Sequence, residues 1–373
     1  MKKLIFGAGH YARLLIADNM LRKNTEYAAT IVSQTENNPS IVGNLPVISI
    51  DDAIKQYGRE NEIVIGVSER YKEEIVDALG RKGFRYISNQ NVASIDFKNY
   101  HNITKEDYLR AWFFGETGKI IDWNNLKTFN EKLQWLKIND RFEEKKELVD
   151  KYMVRYFVKE KIGEQYLVPL LGAWDKYEDV DFDKLPDSFV LKCNHGSGWN
   201  AVIKNKNTVD LEELRTNFVS WLNTDYSDGP GLEIQYKGIH PRIVAEEMLV
   251  DSAGETPDYK FFVFNGVVRY IQVDIDRSTS HKRNIYTPEW EYLPVSICYP
   301  TAPGIKLEKP NKLAEMIKIA EMLGKGFRHV RVDMYYVKDK IYFGELTFSH
   351  GNGIEQFVPE SFGEEMGKWI NVC

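Results

Sequence analysis

Cysteine is scarce, with three in 373 residues: Cys193, Cys298 and Cys373. An odd count with no metal-like spacing argues against a disulfide framework and for a reducing compartment. Long apolar runs are missing too, and nothing approaches the ~20 residues needed to span a bilayer. The start, Lys2-Lys3 followed by Leu4-Ile5-Phe6, mimics a signal peptide, but His10, Arg13 and Asp18 interrupt it too soon. Nor is there an excess of positive charge. Lys and Arg total 49 against 55 Asp and Glu, a net charge of −6, which disfavours nucleic acid or an anionic membrane as the main partner. No fixed-period repeat and no low-complexity tract occurs. These absences predict a cytoplasmic protein with no integral membrane segment; they leave the oligomeric state open.

What is present is ordinary for a globular chain, 43% hydrophobic and 28% charged, and long enough for two or three domains. The 21 Tyr, 19 Phe and 8 Trp suit a carbohydrate platform, but they suit a packed core equally well.

The last fifty residues carry the sharpest pattern. Arg328 to Tyr336 and Ile341 to Thr347 are alternating, half-apolar runs around a polar tip at Lys338-Asp339-Lys340, which predicts a β-hairpin. Arg331 and Asp333 lie two apart and share a face, as do Glu345 and Thr347. One side therefore gathers two carboxylates, a hydroxyl and a guanidinium. Hard oxygens of this kind hold Mg²⁺, and an arginine beside them neutralises a phosphoryl group in transfer. A surface hairpin with cross-strand ion pairs satisfies the same pattern.

The first ninety residues alternate strand and helix. Lys3 to Phe6 is a strand, Gly7-Ala8-Gly9-His10 a glycine-rich turn, and Ala12 to Leu21 a helix. Strands at 28–32, 62–66 and 85–87 and helices at 51–57 and 71–82 follow, which predicts a Rossmann-like parallel sheet. The turn suits an anion at a helix N-terminus. The acid that would hold a dinucleotide ribose is missing from Val32-Ser33-Gln34-Thr35, which counts against NAD. With Gly43 to Asp52, these residues resemble the N-terminal domain of PglD-type nucleotide-sugar acyltransferases. That resemblance implies nucleotide-sugar binding at Gly7, Gly9 and His10.

No glycine- or proline-rich linker marks residues 93–122, which are read as a helical connection; an amphipathic helix over 129–137 follows. The division expected is 1–92, 93–145 and 146–373. In the last part a helix spans 150–163 and a strand 166–171. Ser188 to Lys192 is a strand ending in a lysine, followed by the small-residue loop Asn194 to Gly198 and a returning strand at 201–204. Backbone N–H groups of such a loop, with a lysine, suit phosphate oxygens. No Walker sequence follows. Arg242 to Val250 is a strand with two acids near its end, and Pro257 to Ile271 a hairpin turning at Asn265-Gly266. Asp258 and Lys260 share a face. Pro310 to Leu323 is an amphipathic helix. His281-Lys282-Arg283, after Asp274 and Asp276, reads as a solvated loop, with binding of an anionic substrate as the alternative. His350 to Gly353 reads either as a loop over a carboxylate acceptor or as a plain glycine turn.

The order of these segments resembles the TupA-like (teichuronopeptide-biosynthesis-like) ATP-grasp family over about residues 122–373. The matching stretches are 129–136, 189–198, 236–247, 258–266, 330–335 and 344–348. The fold implied is α/β and α+β, a small Rossmann-like domain followed by an ATP-grasp domain. By that resemblance Lys151 and Lys192 contact ATP phosphates, and His195, Gly196, Ser197 and Gly198 form the loop over them. Glu246 meets the adenine amino group, with Glu247, Met248 and Leu249 as the purine hinge. Asp258 lies near the ribose beside Lys260, Asp333, Glu345 and Thr347 hold Mg²⁺, and Arg331 with Lys192 is catalytic. Thr347 stands where such ligases commonly carry Asn.

The activity implied is an ATP- and Mg²⁺-dependent carboxylate–amine ligase of surface-polysaccharide (capsular) biosynthesis. Its acid would be a uronic acid or UDP-uronic acid, and its nucleophile an amine or amino acid. The alternatives are a glycosyltransferase, with Asp274-Ile275-Asp276 as its candidate Asp-x-Asp pair, an ATP-grasp kinase, and a non-catalytic nucleotide-sugar-binding or scaffold protein.

Overall fold

The computed structural model describes residues 2–23, 27–90, 92, 94–249, 258–276 and 279–372. Val250 and Pro257, expected in strands, and Cys373 lie outside the described residues. The chain forms two compact units, Met1–Leu126 with Asp228–Leu232, and Lys127–Ser227 with Glu233–Cys373. No helix among the described residues is long and apolar enough to cross a membrane.

In the first unit the elements run β1 (Lys3–Phe6), α1 (His10–Arg22), β2 (Tyr27–Val32), β3 (Ile41–Val42), β4 (Leu45–Ser49), α2 (Ile50–Tyr57), β5 (Glu62–Ile65), α3 (Lys72–Arg81), β6 (Tyr86–Asn89) and α4 (Lys105–Thr117). The sheet order is β3-β4-β2-β1-β5-β6, and every pair from β4 to β6 is parallel. Near-continuous apolar strands such as Leu4-Ile5-Phe6 and Ile63-Val64-Ile65, all buried, are what a parallel sheet covered on both faces requires. The antiparallel β3–β4 pair was not anticipated, because Pro46 inside β4 blurs the strand signal. Helix α4 buries Tyr108, Trp112, Phe113 and Phe114 and packs on α1, where Gly115 admits the side chains of Leu14 and Ala17.

The second unit begins with α5 (Phe129–Asn139), α6 (Phe142–Val149), α7 (Val154–Lys161), β7 (Leu170–Trp174), β8 (Phe189–Cys193), β9 (Asn200–Ile203), α8 (Leu211–Leu222) and β10 (Ile243–Glu247). It continues with β11 (Asp258–Phe264), β12 (Val267–Ile275), β13 (Lys282–Tyr286), β14 (Tyr292–Leu293), β15 (Ser296–Ile297), α9 (Leu313–Gly324), β16 (His329–Val337), β17 (Lys340–Thr347), β18 (Phe357–Val358) and α10 (Glu360–Lys368). A four-stranded antiparallel sheet runs β7-β10-β8-β9, a six-stranded antiparallel sheet runs β14-β13-β12-β11-β16-β17, and β15 pairs with β18. The two units together are the expected α/β and α+β class.

Local chemistry explains the start points. A capping box at Thr128 and Glu131 opens α5. The helix expected from residue 150 begins only at Val154, because Asp150 Oδ1 accepts the N–H groups of Tyr152 and Met153 in a preceding turn. The strand expected at 166–171 joins the ladder at Leu170, just past Pro169, which has no N–H to donate. Tight turns at Asn265-Gly266 and Lys338-Asp339, all with positive φ, close the β11–β12 and β16–β17 hairpins.

Alternation in β11 and β16 separates two faces of the six-stranded sheet. Phe261, Val263, Val330, Val332 and Met334 pack with Met316, Ile319 and Leu323 of α9 in one core. The other face carries aromatic residues at one end, Phe262 and Phe264 against α5 and α10. At its other end it carries charge.

Candidate active site

Cross-strand register builds that charged end. Asp333 lies opposite Glu345 and Arg331 opposite Thr347, so the hairpin gathers the four groups its alternation predicted. Asp333 lies also opposite Lys260, and Asp274 opposite Arg283. A row of ionic side chains therefore crosses five strands. Arg331 binds both oxygens of Asp333 (Nε to Oδ1 and Nη2 to Oδ2, each 2.7 Å). Its Nη2 reaches Glu345 Oε1 at 3.3 Å and Thr347 Oγ1 at 3.2 Å. Lys260 pairs with Asp258 and lies 3.3 Å from Asp274 Oδ2 and 3.7 Å from Asp333 Oδ2. Arg283 Nε donates to Asp274 Oδ1 at 2.8 Å and its Nη1 to Glu355 Oε1 at 3.1 Å.

Burial pushes the Asp333 carboxyl up to about 6, with Glu345 and Asp258 adding to the rise and Arg331 and Lys260 opposing it. Burial would also raise Glu345, but Lys151, Arg331 and the Thr347 hydroxyl hold it below the usual range. Burial would raise Asp274 too, yet Lys260 and Arg283 hold it far below the carboxylate norm.

Facing this row stands the lysine side. Lys192 on β8 and Glu246 on β10 sit diagonally across an antiparallel pair, with Nζ and Oε2 at 2.6 Å. Arg155 of α7 holds the other Glu246 oxygen at 2.9 Å. Lys151 donates to the Gly196 carbonyl. Burial lowers the Lys151 ammonium, helped by Lys192 and opposed by Glu345.

These groups line one cavity of about 420 Å³. Of the expected residues, Lys151, Lys192, Ser197, Gly198, Glu246, Asp258, Lys260, Arg331, Asp333 and Glu345 line it. Thr347 adjoins it through its bonds to Arg331 and Glu345. His195 and Gly196 do not line it. His195 is buried, with Nδ1 at 3.2 Å from Asn194 Oδ1, Nε2 at 3.1 Å from the Trp221 carbonyl and its ring edge-on to Trp199, and burial lowers its imidazole. Glu247, Met248 and Leu249 also lie outside the lining; Glu247 ends β10 with its N–H on the Pro169 carbonyl. The His350–Gly353 loop does not close over the cavity either. His350 is buried behind it, with Nε2 at 2.9 Å from Glu355 Oε2.

Arg155, Tyr299 and Glu355 line the cavity without having been anticipated, and so do Asp274, His281 and Arg283, for which the sequence favoured other readings. The segment read as a solvated loop is instead the start of β13, with Arg283 buried. The signals were present but faint. Arg155 follows Lys151 by four residues, and Asp274 and Arg283 fall on the cavity face only once the strand register is known.

Gly7, Gly9 and His10 belong to the first unit and head α1. Gly7 has φ +121°, and a Cβ there would meet the Gly66 carbonyl oxygen at 2.5 Å. Gly9 is the N-cap of α1, with open space beside it.

Two carboxylates and a hydroxyl meeting across β16 and β17 are hard donors suited to Mg²⁺. The Oε2 of Glu345 is not used in its bonds to Arg331 and Thr347. Among the described residues no group of three or more His, Cys, Asp or Glu side chains is arranged for a metal. A cation here would rely on these donors together with water and phosphate oxygens.

The family model described as TupA-like ATPgrasp matches residues 131–371, about two thirds of the chain. No curated protein matches. Three solved structures show the range of likeness. D-alanine–D-alanine ligase from Bacillus anthracis, complexed with ATP, has 15% identity and a TM-score of 0.32 over 93% of this chain and 85% of that one. The ATP-grasp ligase PsnB, complexed with minimal precursor, Mg and ADP, has 12% identity and a TM-score of 0.32 over 93% and 88%. A RimK domain ATP-grasp protein from Sphaerobacter thermophilus has 10% identity and a TM-score of 0.34 over all of both chains. At these scores the likeness carries no argument about substrate or mechanism.

Proposed function

Because the chain belongs to the TupA-like ATP-grasp family, we propose that it is an ATP- and Mg²⁺-dependent carboxylate–amine ligase. One observation carries this reading: Arg331, Asp333 and Glu345 on one hairpin face share a single cavity with Lys151 and Lys192. The described lining residues include six carboxylates and six lysines or arginines. They are unevenly spread. Lys151, Arg155 and Lys192 outnumber Glu246 on one side. On the other, Asp258, Asp274, Asp333, Glu345 and Glu355 outnumber Lys260, Arg283 and Arg331. A polyphosphate suits the first side, and a divalent cation or an ammonium the second.

In this reading Lys151 and Lys192 hold ATP phosphates, and Ser197 and Gly198 approach them from the loop. Arg331 offsets charge on the γ-phosphoryl group as the acid's carboxylate oxygen attacks phosphorus, forming the acyl phosphate and releasing ADP. Asp333, Glu345 and Thr347 are the side chains that would hold Mg²⁺, which supplies charge neutralisation at the phosphates. The amine then attacks the acyl carbon and phosphate departs. Positioning and electrostatics carry most of this chemistry, and no covalent enzyme intermediate is required.

The acid is proposed to be a uronic acid, free or on a UDP carrier, the nucleophile an amino acid, and the setting surface-polysaccharide biosynthesis. In the first unit by itself, Gly7, Gly9 and His10 are proposed to bind the diphosphate of a nucleotide sugar at the head of α1, since a helix N-terminus favours anions. No observation favours glycosyl transfer; Asp274 is taken up by Lys260 and Arg283.

The test is ADP release from Mg-ATP with a panel of uronic and UDP-uronic acids, with and without mixed amino acids. Release that needs both acid and amine is expected. Release with acid alone would point to a kinase. UDP appearing without ADP would overturn the reading in favour of glycosyl transfer.

A further inference from the structure

An amino acid at neutral pH presents an ammonium, which has no lone pair until a proton is removed. Something in the cavity must take that proton before the acyl phosphate can be attacked. The carboxylates among the described lining residues are poor candidates. Glu246 is shared by Lys192 and Arg155, Asp333 by Arg331 and Lys260, and Glu355 by Arg283 and His350. Asp258 pairs with Lys260, and Glu345 with Arg331.

One imidazole lies among the lining residues, that of His281. It sits just ahead of β13, with its side chain 19% exposed. Its ring rests against Tyr299, centroids 3.8 Å apart. Its Nε2 is buried 3.2 Å from Asp274 Oδ1, within ion-pair reach once the ring is charged but outside hydrogen-bond geometry, and its other ring nitrogen makes no hydrogen bond among the described residues. Asp274 is a firm backstop. Its side chain is 2% exposed, and Arg283 Nε, Gln272 Nε2 at 3.2 Å and Lys260 hold it ionised and in place. A carboxylate so placed stabilises the imidazolium formed when the ring takes a proton. Lys260 bridges Asp274 to Asp333, so this pair is continuous with the hairpin face. The charged and titratable groups around His281 are Asp274 on β12, Arg283 on β13 with Glu355 behind it, and Tyr299 from the segment after β15.

We propose that His281, backed by the Asp274 carboxylate, is the catalytic base for an amino-acid nucleophile, and that this wall is the amine subsite. The inference rests on the ligase reading above and names the second substrate's place within it. In the step, the ammonium gives one proton to the free nitrogen of His281. The nitrogen lone pair then forms the C–N bond at the acyl carbon, and the C–O bond to phosphate breaks with its electron pair. The amine's second proton leaves with the phosphate. Asp274 is a positioning residue, since it acts through the imidazole.

Hydroxylamine separates this base from the rest of the machinery, because it is largely unprotonated at neutral pH and needs no base. The full chain, wild type and His281→Gln, is supplied with Mg-ATP and glucuronic or UDP-glucuronic acid. The nucleophile is either hydroxylamine or mixed amino acids, and hydroxamate and amide are measured. His281→Gln should form hydroxamate as well as wild type, yet lose at least about a hundredfold in kcat/KM for amide, the scale of a lost general base. Added imidazole should restore amide formation to His281→Ala. Amide and hydroxamate falling together would overturn the proposal, as would amide formation unchanged in His281→Gln. Hydroxamate from wild type with no amide would overturn the amino-acid assignment. No hydroxamate from wild type would sink the ligase reading itself.

Discussion

The protein contains two six-stranded sheets built on opposite plans. In the first unit, strands are parallel from β4 to β6, and the central ones, β1, β2 and β5, are largely buried and apolar on both faces. In the second, an antiparallel sheet gives one face to α9 and concentrates charge at one end of the other. The parallel sheet leaves chemistry only to its turns, such as Gly7 at the head of α1. The antiparallel sheet can carry chemistry on the strands themselves, because alternation presents every second side chain to the cavity. The price is burial of many charges, tolerable only when each is paired.

The sharpest way to break this comparison is to remove one charge that the reading assigns to the reaction. Glu345→Ala should lower acid-dependent ADP release roughly 10³-fold, the scale of a lost preorganised charge. Because Glu345 is only half-buried, thermal melting should stay close to wild type. Asp274→Ala should act on the fold as well. It leaves Lys260 and Arg283 without their shared carboxylate and should cost roughly 3–5 kcal/mol in urea denaturation.

Acid pH probes the same network without mutation. The folded Asp274 and Glu355 carboxyls lie below their unfolded values; burial alone would raise them, but Lys260 and Arg283 hold Asp274 down, and His350 and Arg283 hold Glu355 down. A depressed carboxyl contributes stability that is full above its unfolded pKa and lost as pH falls towards the folded one. Stability should therefore decline below about pH 4, where free carboxyls titrate. Glu355→Gln should flatten part of that decline.

The smallest effects belong to the parallel sheet's turn. Gly7→Ala should destabilise the protein by roughly 1–3 kcal/mol, since its φ and the Gly66 carbonyl both oppose a side chain. Gly9→Ala should cost under about 1 kcal/mol, the difference between glycine and alanine at an N-cap. Equal costs in urea denaturation would show that the turn is not shaped as described.

The sequence was most legible where period and local chemistry coincide. The β16–β17 alternation placed Arg331, Asp333, Glu345 and Thr347 on one face, and strand–helix alternation anticipated the parallel sheet. It was least legible where the deciding contact is remote. Arg283 read as part of a solvated loop because its partners, Asp274 and Glu355, lie nine and seventy-two residues away in sequence. His195 read as part of the phosphate loop because nothing local reveals that Trp199 and the Trp221 carbonyl hold its ring away from the cavity. Helices α8 and α10 and the β3–β4 pair were not foreseen.

The central claim is that this cavity binds ATP through its lysines. Calorimetric titration with a non-hydrolysable ATP analogue and Mg²⁺ tests it on the wild type and on Lys151→Met with Lys192→Met. Each charged hydrogen bond contributes about 1.5–3 kcal/mol, so the double variant should bind at least about a hundredfold more weakly. Equal affinity in the two proteins would contradict the account.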